Sequence, residues 1–275
     1  MFITDKLVYI QLQKTGCTHI AKLLQATVGG RQRGKHNAAP RRLRRSSRIT
    51  VSSIRDPWEW YVSLWSAGCD GKGGLRVRAC RKQIPRHFKD LFRFAQPADL
   101  RRSISREIHR DPTIWRDLYA DSRDPARFRR WLHTIHHPRF RYDFGEGFGM
   151  SSVHGFAGIY TFRYLKWCCA GRKRLYSGSL RSPEDLETFE RKNCYIDRWI
   201  RNESLEEDLI DVLESADEPL CPSDRNYIFS CSPTNTSSRS ESTDSYHDAE
   251  TVELVRKRDR IIVDKFGYSP PDPAG

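Results

Sequence analysis

The chain has 275 residues, of which 37% are hydrophobic and 30% are charged, so a sizeable core and large polar loops are both expected. Its formal net charge of +13 favours anionic partners such as nucleotides, acidic glycans, nucleic acid or an anionic membrane surface. No apolar run approaches the roughly 20 residues of a membrane span, and the start has no signal-peptide pattern. We therefore expect a cytoplasmic protein without a membrane span.

The cysteines and histidines show no metal-binding pattern. No Cys-x-x-Cys pair and no paired Cys/His spacing occurs, and His136-His137 stand beside Pro138 without further ligands. We expect mostly reduced thiols and no metal, although Cys69 and Cys80 bracket a Gly-rich loop and could pair in an oxidising compartment.

The first predicted strand covers residues 6–13 (KLVYIQLQ), and a helix is predicted over residues 19–28, ended by Gly29-Gly30. Between them lies the turn Lys14-Thr15-Gly16-Cys17-Thr18. A strand, a tight Gly turn and a helix form the arrangement in which backbone N–H groups at a helix N-terminus face a phosphate. A nucleoside-triphosphate loop would instead place its Lys after the last Gly, followed by Ser or Thr.

A basic loop over residues 29–48 leads to a second strand over residues 49–54 (ITVSSI), and Asp56-Pro57 then begins a helix. Four apolar side chains of this helix recur at helical spacing and predict its core stripe, namely Trp58, Tyr61, Val62 and Trp65. Ser63 points away from that stripe, near the direction of Glu59. Arg55 at the strand end and Ser63 on the open helix face can hold one phosphate together.

The remaining pattern predicts alternating helices, strands and loops. Loops are expected over residues 68–82, 141–155 and 230–245 (a mobile one), helices near 86–95, 99–109, 124–136, 204–213 and 250–266, and strands over 156–167 and 194–201. Ser204 and Glu207 have the spacing of a capping box.

Two of these segments resemble the sulfotransferase family that uses 3′-phosphoadenosine-5′-phosphosulfate (PAPS). QKTGCTHI is similar to its 5′-phosphosulfate loop, and SIRDPWEWYVS is similar to its 3′-phosphate motif. Residues 196–209 (IDRWIRNESLEEDL), NTSSRS and the ending KFGY resemble the branch that acts on carbohydrates, whereas residues 83–155 match no part of the family. The resemblance implies a single α/β domain over residues 1–275, P-loop-like, with a central parallel sheet flanked by helices and acceptor-side loops and helices over 68–155.

The resemblance also implies roles for individual residues. Lys14 would contact the leaving phosphate oxygen, and Arg55 and Ser63 would hold the 3′-phosphate. The phosphosulfate would meet the loop residues Thr15, Gly16, Cys17, Thr18 and His19. Cys17 departs mildly from the small residue that the branch often has at this position, and we expect its thiol to be buried and inert. Sulfuryl transfer of this kind needs a cation on the leaving oxygen and no metal.

A general base must take the proton of the acceptor hydroxyl. His36, in the loop before the second strand, is the first candidate, with an exposed loop histidine as the alternative reading. Glu59 is the second candidate, although a carboxylate that offsets the helix dipole is the simpler account of it. His154 is a third candidate, whereas His19 is expected to orient or pack the phosphate loop.

The acceptor is expected to be a hydroxyl of a carbohydrate or glycolipid. A dense basic run before the second strand suits an anionic acceptor or a solvated loop, namely Arg41, Arg42, Arg44, Arg45 and Arg48. The alternatives are a P-loop kinase-like phosphotransferase, a non-catalytic basic protein that binds nucleotide or nucleic acid, and a sulfotransferase-like chain without catalysis. We expect no specific nucleic-acid partner, because the aromatic side chains near Arg55 fall on a core stripe.

Overall fold

The structure is a computed structural model, and it describes residues 1–82, 105, 107–232, 234 and 242–272. The helix predicted near 86–95, most of that near 99–109, the NTSSRS segment and much of the loop over 230–245 lie outside these residues. The chain divides into two compact units. Unit 1 comprises Met1–Asp56, Arg163–Arg172 and Glu187–Thr236, and unit 2 comprises Pro57–Phe162, Lys173–Leu186 and Ser237–Gly275.

Unit 1 contains a five-stranded sheet with the strand order β3-β1-β2-β4-β5. The strands are β1 (Phe2–Ile3), β2 (Leu7–Ile10), β3 (Arg31–Gln32), β4 (Ile49–Ile54) and β5 (Arg198–Arg201). The pairs β2–β4 and β4–β5 are parallel, and β1 pairs antiparallel with both β2 and β3. The α/β class is therefore confirmed, and the sheet is mixed, with its parallel part in β2, β4 and β5.

Helices make up most of the remaining described chain. The α-helices are α1 (Cys17–Thr27), α2 (Arg41–Arg44), α3 (Pro57–Cys69), α4 (Gly74–Cys80), α5 (Thr113–Leu118), α6 (Pro125–His136), α7 (Ile159–Cys168), α8 (Pro183–Asn193), α9 (Leu205–Ser215), α10 (Pro222–Ser230), α11 (Thr243–Tyr246), α12 (Ala249–Arg258) and α13 (Arg260–Phe266). The 3-10 helices are Pro138–Phe140, Phe148–Met150, Ser152–Gly155, Arg172–Tyr176 and Asn202–Ser204. Within the described ranges, no helix is long and apolar enough to cross a bilayer.

The core of unit 1 lies where α1 and α9 pack against the sheet. The buried side chains of α1 recur at helical spacing, and so do those of α9, which places one apolar stripe of each helix on the strands. The members of this core include Leu7, Tyr9, Cys17, Ile20, Leu24, Val51, Ile200, Leu205, Leu209 and Leu213. Strand β2 is buried at every residue, which is typical of a strand covered on both faces.

Aromatic side chains fill the core of unit 2. Helix α3 is buried from Pro57 to Gly68 except at Glu59, so the predicted stripe of four residues is confirmed but is only part of the buried surface. Trp60 stacks on Tyr160 with ring centroids 4.1 Å apart, and Trp65 donates a hydrogen bond to the Leu118 carbonyl at 2.8 Å. These buried rings explain where the aromatic content of the sequence is used.

Several predicted elements differ in the structure. The segment predicted as a strand over 156–167 is the helix α7, and the segment predicted as one helix over 250–266 breaks at Asp259 into α12 and α13. Asp259 is buried and its carboxylate accepts hydrogen bonds from the Thr161 amide (2.8 Å), the Thr161 hydroxyl (2.7 Å) and the Tyr61 hydroxyl (2.7 Å). These contacts fix the backbone at Asp259 outside the helical path, which no local signal in the sequence indicates.

The capping box predicted at Ser204 does not form. Ser204 precedes α9 but makes no side-chain cap hydrogen bond, because a 3-10 turn over Asn202–Ser204 comes first. Asp208 instead accepts a hydrogen bond from the Arg201 amide at 2.6 Å, which ties the end of β5 to α9. The loops predicted over 29–48 and 68–82 also contain short elements, β3 and α2 in the first and α4 in the second.

Candidate anion-binding site

The site in unit 1 begins where the three parallel strands end. β2 runs into the turn at Lys14, β4 ends one residue before Arg55, and β5 ends one residue before Asn202. The carboxyl ends of parallel strands meet at one edge of a sheet, which is where ligands of open α/β sheets bind. The first two of these segments carry the predicted phosphate contacts.

The turn after β2 has two residues in the left-handed region, Lys14 with φ of 65° and Gly16 with φ of 73°. Gly16 is the N-cap residue of α1, where no side chain caps the helix and the first turn contains no acidic residue. A Cβ at Gly16 would lie 2.7 Å from Leu205 Cδ1 and 3.0 Å from Asn202 Oδ1. The position therefore needs glycine, and the N-terminus of α1 is suited electrostatically to an anion.

Thr15 anchors this turn to the sheet through its side chain. Its hydroxyl donates a hydrogen bond to the Leu12 carbonyl at 2.9 Å and lies 2.6 Å from Ser53 Oγ, which in turn lies 2.6 Å from the Tyr9 hydroxyl. Thr15 is fully buried. Its hydroxyl thus serves the fold, and a ligand contact of Thr15 stays a prediction.

Three basic side chains border the turn. Arg55 Nη1 donates a hydrogen bond to the Lys14 carbonyl at 3.3 Å, so the end of β4 holds the turn directly. Lys35 Nζ donates a hydrogen bond to Thr18 Oγ1 at 2.7 Å, which brings a cation to the first turn of α1. Lys14, Lys35 and Arg55 together give this edge of unit 1 a positive charge.

His36 lies beside the end of β2, and its role as a base stays a prediction. Its Nδ1 is 2.9 Å from the Gln11 carbonyl, and its backbone is left-handed with φ of 53°. Because a carbonyl can only accept, Nδ1 carries the proton and Nε2 has the lone pair in the neutral ring. Lys35 and His36 thus lie in one segment that reaches both α1 and the end of β2.

Cys17 and His19 point into the protein. Burial raises the pKa of the Cys17 thiol, in agreement with the expected buried cysteine. His19 is 3% exposed, its Nε2 lies 3.8 Å from Glu206 Oε1 on α9, and burial lowers its pKa. His19 therefore packs α1 against α9, and its side chain contacts that helix.

Glu59, Ser63 and His154 belong to unit 2. Ser63 is only 6% exposed, so the prediction that it lies on an open face of its helix is wrong. Burial lowers the pKa of His154, whose Nδ1 lies 3.1 Å from the Ser151 carbonyl and whose Nε2 lies 3.2 Å from Arg141 Nη1. The ligand contact of Ser63 and the base roles of Glu59 and His154 stay predictions.

Lys35, Asn202 and Glu203 were missed as candidates from the sequence. Asn202 faces Gly16, and Glu203 Oε1 accepts a hydrogen bond from the Asp56 amide at 2.7 Å. The density of cations over residues 29–48 was the one signal for Lys35, and the position directly after a parallel strand was the signal for Asn202.

Neither a metal-binding cluster in the described part of the chain nor a similar known protein identifies the ligand of this site. Among the described residues, no group of three or more His, Cys, Asp or Glu side chains is arranged to hold a metal ion. No protein-family model matches the chain, and comparisons with curated proteins and with solved structures found no significant similarity.

Proposed function

We propose that the chain is a sulfotransferase that moves a sulfuryl group from PAPS to an acceptor hydroxyl, in a carbohydrate or a glycolipid. The observation that carries the proposal is the left-handed turn at Gly16, which opens α1 with no acidic residue in its first turn and has Lys14, Lys35 and Arg55 around it. The resemblance of QKTGCTHI and SIRDPWEWYVS to the PAPS-binding motifs is the reason for proposing PAPS as the bound anion.

The residues of the turn fit the phosphosulfate end of PAPS. The N-terminal amides of α1 and the backbone of Thr15 and Gly16 would donate to anionic oxygens, because Gly16 has no side chain to block their approach. PAPS, when bound, supplies the activated sulfuryl group. Lys14 would stabilise the negative charge that develops on the leaving phosphate oxygen, and His36 Nε2 would take the proton of the acceptor hydroxyl.

The segment over residues 29–48 supports an anionic acceptor. It contains eight Lys or Arg side chains and no Asp or Glu. Five of its arginines are exposed and form no ion pair with any described residue, namely Arg31, Arg33, Arg41, Arg42 and Arg45. Because Lys35 and His36 belong to the same segment, an acceptor held by these arginines would lie beside the turn. We propose an anionic glycan or glycolipid headgroup as the acceptor.

The proposal is tested by calorimetry with adenosine-3′,5′-bisphosphate, the desulfated product, with and without Mg²⁺. We expect sub-millimolar binding that is independent of Mg²⁺. Lys14→Ala should weaken binding by at least about tenfold, since a charged contact contributes about 1.5 kcal/mol or more, and should abolish transfer from PAPS.

Lys22→Ala is the matched control, because Lys22 is an exposed cation on the same helix α1. It should bind the bisphosphate like the wild type. If the bisphosphate does not bind to the wild-type protein, the proposal is refuted. If the protein instead binds ATP, and only in the presence of Mg²⁺, the kinase-like alternative is favoured.

A further inference from the structure

Two cysteines of unit 1 face each other where two helices end. Cys169 follows α7, Cys194 follows α8, and the two residues form an isolated antiparallel β-bridge. All eight cysteines lie within the described residues, and none is in a disulfide.

The hydrogen bonds around the bridge define its geometry. The Ala170 amide donates to the Asn193 carbonyl at 2.8 Å, and the Tyr195 amide donates to the Cys168 carbonyl at 3.1 Å. Cys169 and Cys194 are therefore the non-hydrogen-bonded pair of the bridge, for which the Cα atoms are about 4.5 Å apart. That separation lies within the range of about 4.4–6.8 Å that a disulfide spans, so no backbone movement is needed to close it.

We propose that Cys169 and Cys194 are a thiol–disulfide pair that closes when the protein meets a peroxide. The Cys194 thiolate, the more exposed of the two, attacks a peroxide oxygen, which breaks the O–O bond and gives a sulfenic acid and water after protonation. The Cys169 sulfur loses its proton and attacks the sulfenic sulfur, which releases a second water. With hydrogen peroxide, two thiols lose two electrons and yield one disulfide and two water molecules, and a dithiol reverses the reaction.

The disulfide would restrain Tyr195, a residue that contacts the basic segment over residues 29–48. Tyr195 follows Cys194 directly, and its hydroxyl accepts a hydrogen bond from the Ala39 amide at 3.1 Å and donates one to the Trp167 carbonyl. The Arg44 guanidinium lies over the Tyr195 ring, 5.1 Å from its centroid. Closing the pair fixes Tyr195 to the end of α7, so the segment over residues 29–48 should open less often.

Disulfide mapping of the intact protein tests the pairing. The folded protein is treated with hydrogen peroxide, its remaining thiols are alkylated, and its peptides are analysed by mass spectrometry. We expect one cross-linked peptide pair that joins Cys169 to Cys194, with alkylation retained at Cys80, which is buried in unit 2. Tryptic cleavage after Arg41 and Arg42 should be slower in the oxidised protein and should return to the original rate after dithiol treatment.

Two outcomes would overturn the proposal. A protein in which the exposed Cys221 becomes oxidised while Cys169 and Cys194 both remain alkylated contradicts the pairing, and so does a cross-link from Cys194 to Cys168. Equal cleavage rates in both redox states contradict the link to the basic segment. Cys194→Ser should lose the slowing while Cys80→Ser retains it, and circular dichroism of both variants reports whether they fold.

Discussion

Gly16 combines a left-handed backbone with close neighbours, and the two effects can be separated by substitution. Its φ is 73°, and a Cβ there would meet Leu205 and Asn202. We expect Gly16→Ala to lower the free energy of unfolding by roughly 2–4 kcal/mol, from about 1 kcal/mol of left-handed strain and about 1–3 kcal/mol of overpacking. Urea denaturation measures this loss, and bisphosphate binding should weaken in parallel.

Gly29→Ala is the matched control for the strain. Gly29 has φ of 71°, and a Cβ there would meet nothing within 4 Å. Its substitution should cost only the left-handed strain of about 1 kcal/mol. Equal losses in the two variants would mean that Leu205 and Asn202 give way freely, and only the left-handed backbone would favour glycine at position 16.

The buried histidines of unit 2 make stability depend on pH. Burial lowers the pKa of His136 from 6.5 to about 3, and burial lowers that of His247 to about 4. A lowered pKa means that the unfolded state takes up protons first, so the stability present above pH 6.5 is lost as the pH falls. We expect each histidine to cost about 2 kcal/mol between pH 6.5 and about pH 5, measured by urea unfolding at both pH values.

His136→Gln should reduce this pH dependence, because it removes one of the groups whose pKa burial lowers. His109→Gln, at an exposed position, serves as the control and should keep the wild-type slope. Asp259 acts in the opposite sense, since burial raises its pKa and the folded state gains stability as the pH falls through that raised value. A wild-type free energy of unfolding that is equal at the two pH values would contradict the assignment to the histidines.

The helices and strands that could be predicted from the sequence are those whose local residue pattern matches the pattern of their buried side chains. β4 has the predicted bounds, and α3 begins at the predicted Pro57. α7 was mistaken for a strand because its residues Ile159, Tyr160, Phe162 and Tyr164 are all buried, which removes the helical period, and β-branched and aromatic types favour strands. Helices buried on every side carry no amphipathic pattern to identify them.

The candidate site likewise contains residues that could be predicted from the sequence and residues that could not. The turn from Lys14 to Thr18 was predictable, because a strand, a Gly turn and a helix are adjacent in sequence. Asn202 was not, since its contact with Gly16 joins residues that are far apart in the chain and depends on the β2–β4–β5 order of the sheet. Lys35 depends similarly on how the segment over residues 29–48 folds back to Thr18.

The net charge of +13 is unevenly spread along the chain. Residues 29–48 hold eight cations and no acids, whereas several basic side chains elsewhere form ion pairs, such as Arg110–Glu107 and Arg78–Glu146. Paired charges screen each other at a surface, and unpaired ones retain bound counterions that a polyanion can release. The segment should therefore dominate binding to anionic polymers even though it is a small part of the surface.

Binding to a sulfated polysaccharide such as heparin, measured over a range of salt concentrations, tests that inference. The triple variant Arg41→Gln, Arg42→Gln and Arg45→Gln should bind more weakly and with a shallower dependence of log K on log salt, because fewer counterions are released. A second triple variant removes the same charge from exposed positions outside the segment, at Arg172, Lys173 and Lys192. If net charge alone attracts the polymer, the two variants will lose affinity equally; if the dense run of cations over residues 29–48 does so, only the first will lose it. Exposed substitutions of this kind change the free energy of unfolding by less than about 0.5 kcal/mol, so a difference between the variants would report binding and not folding.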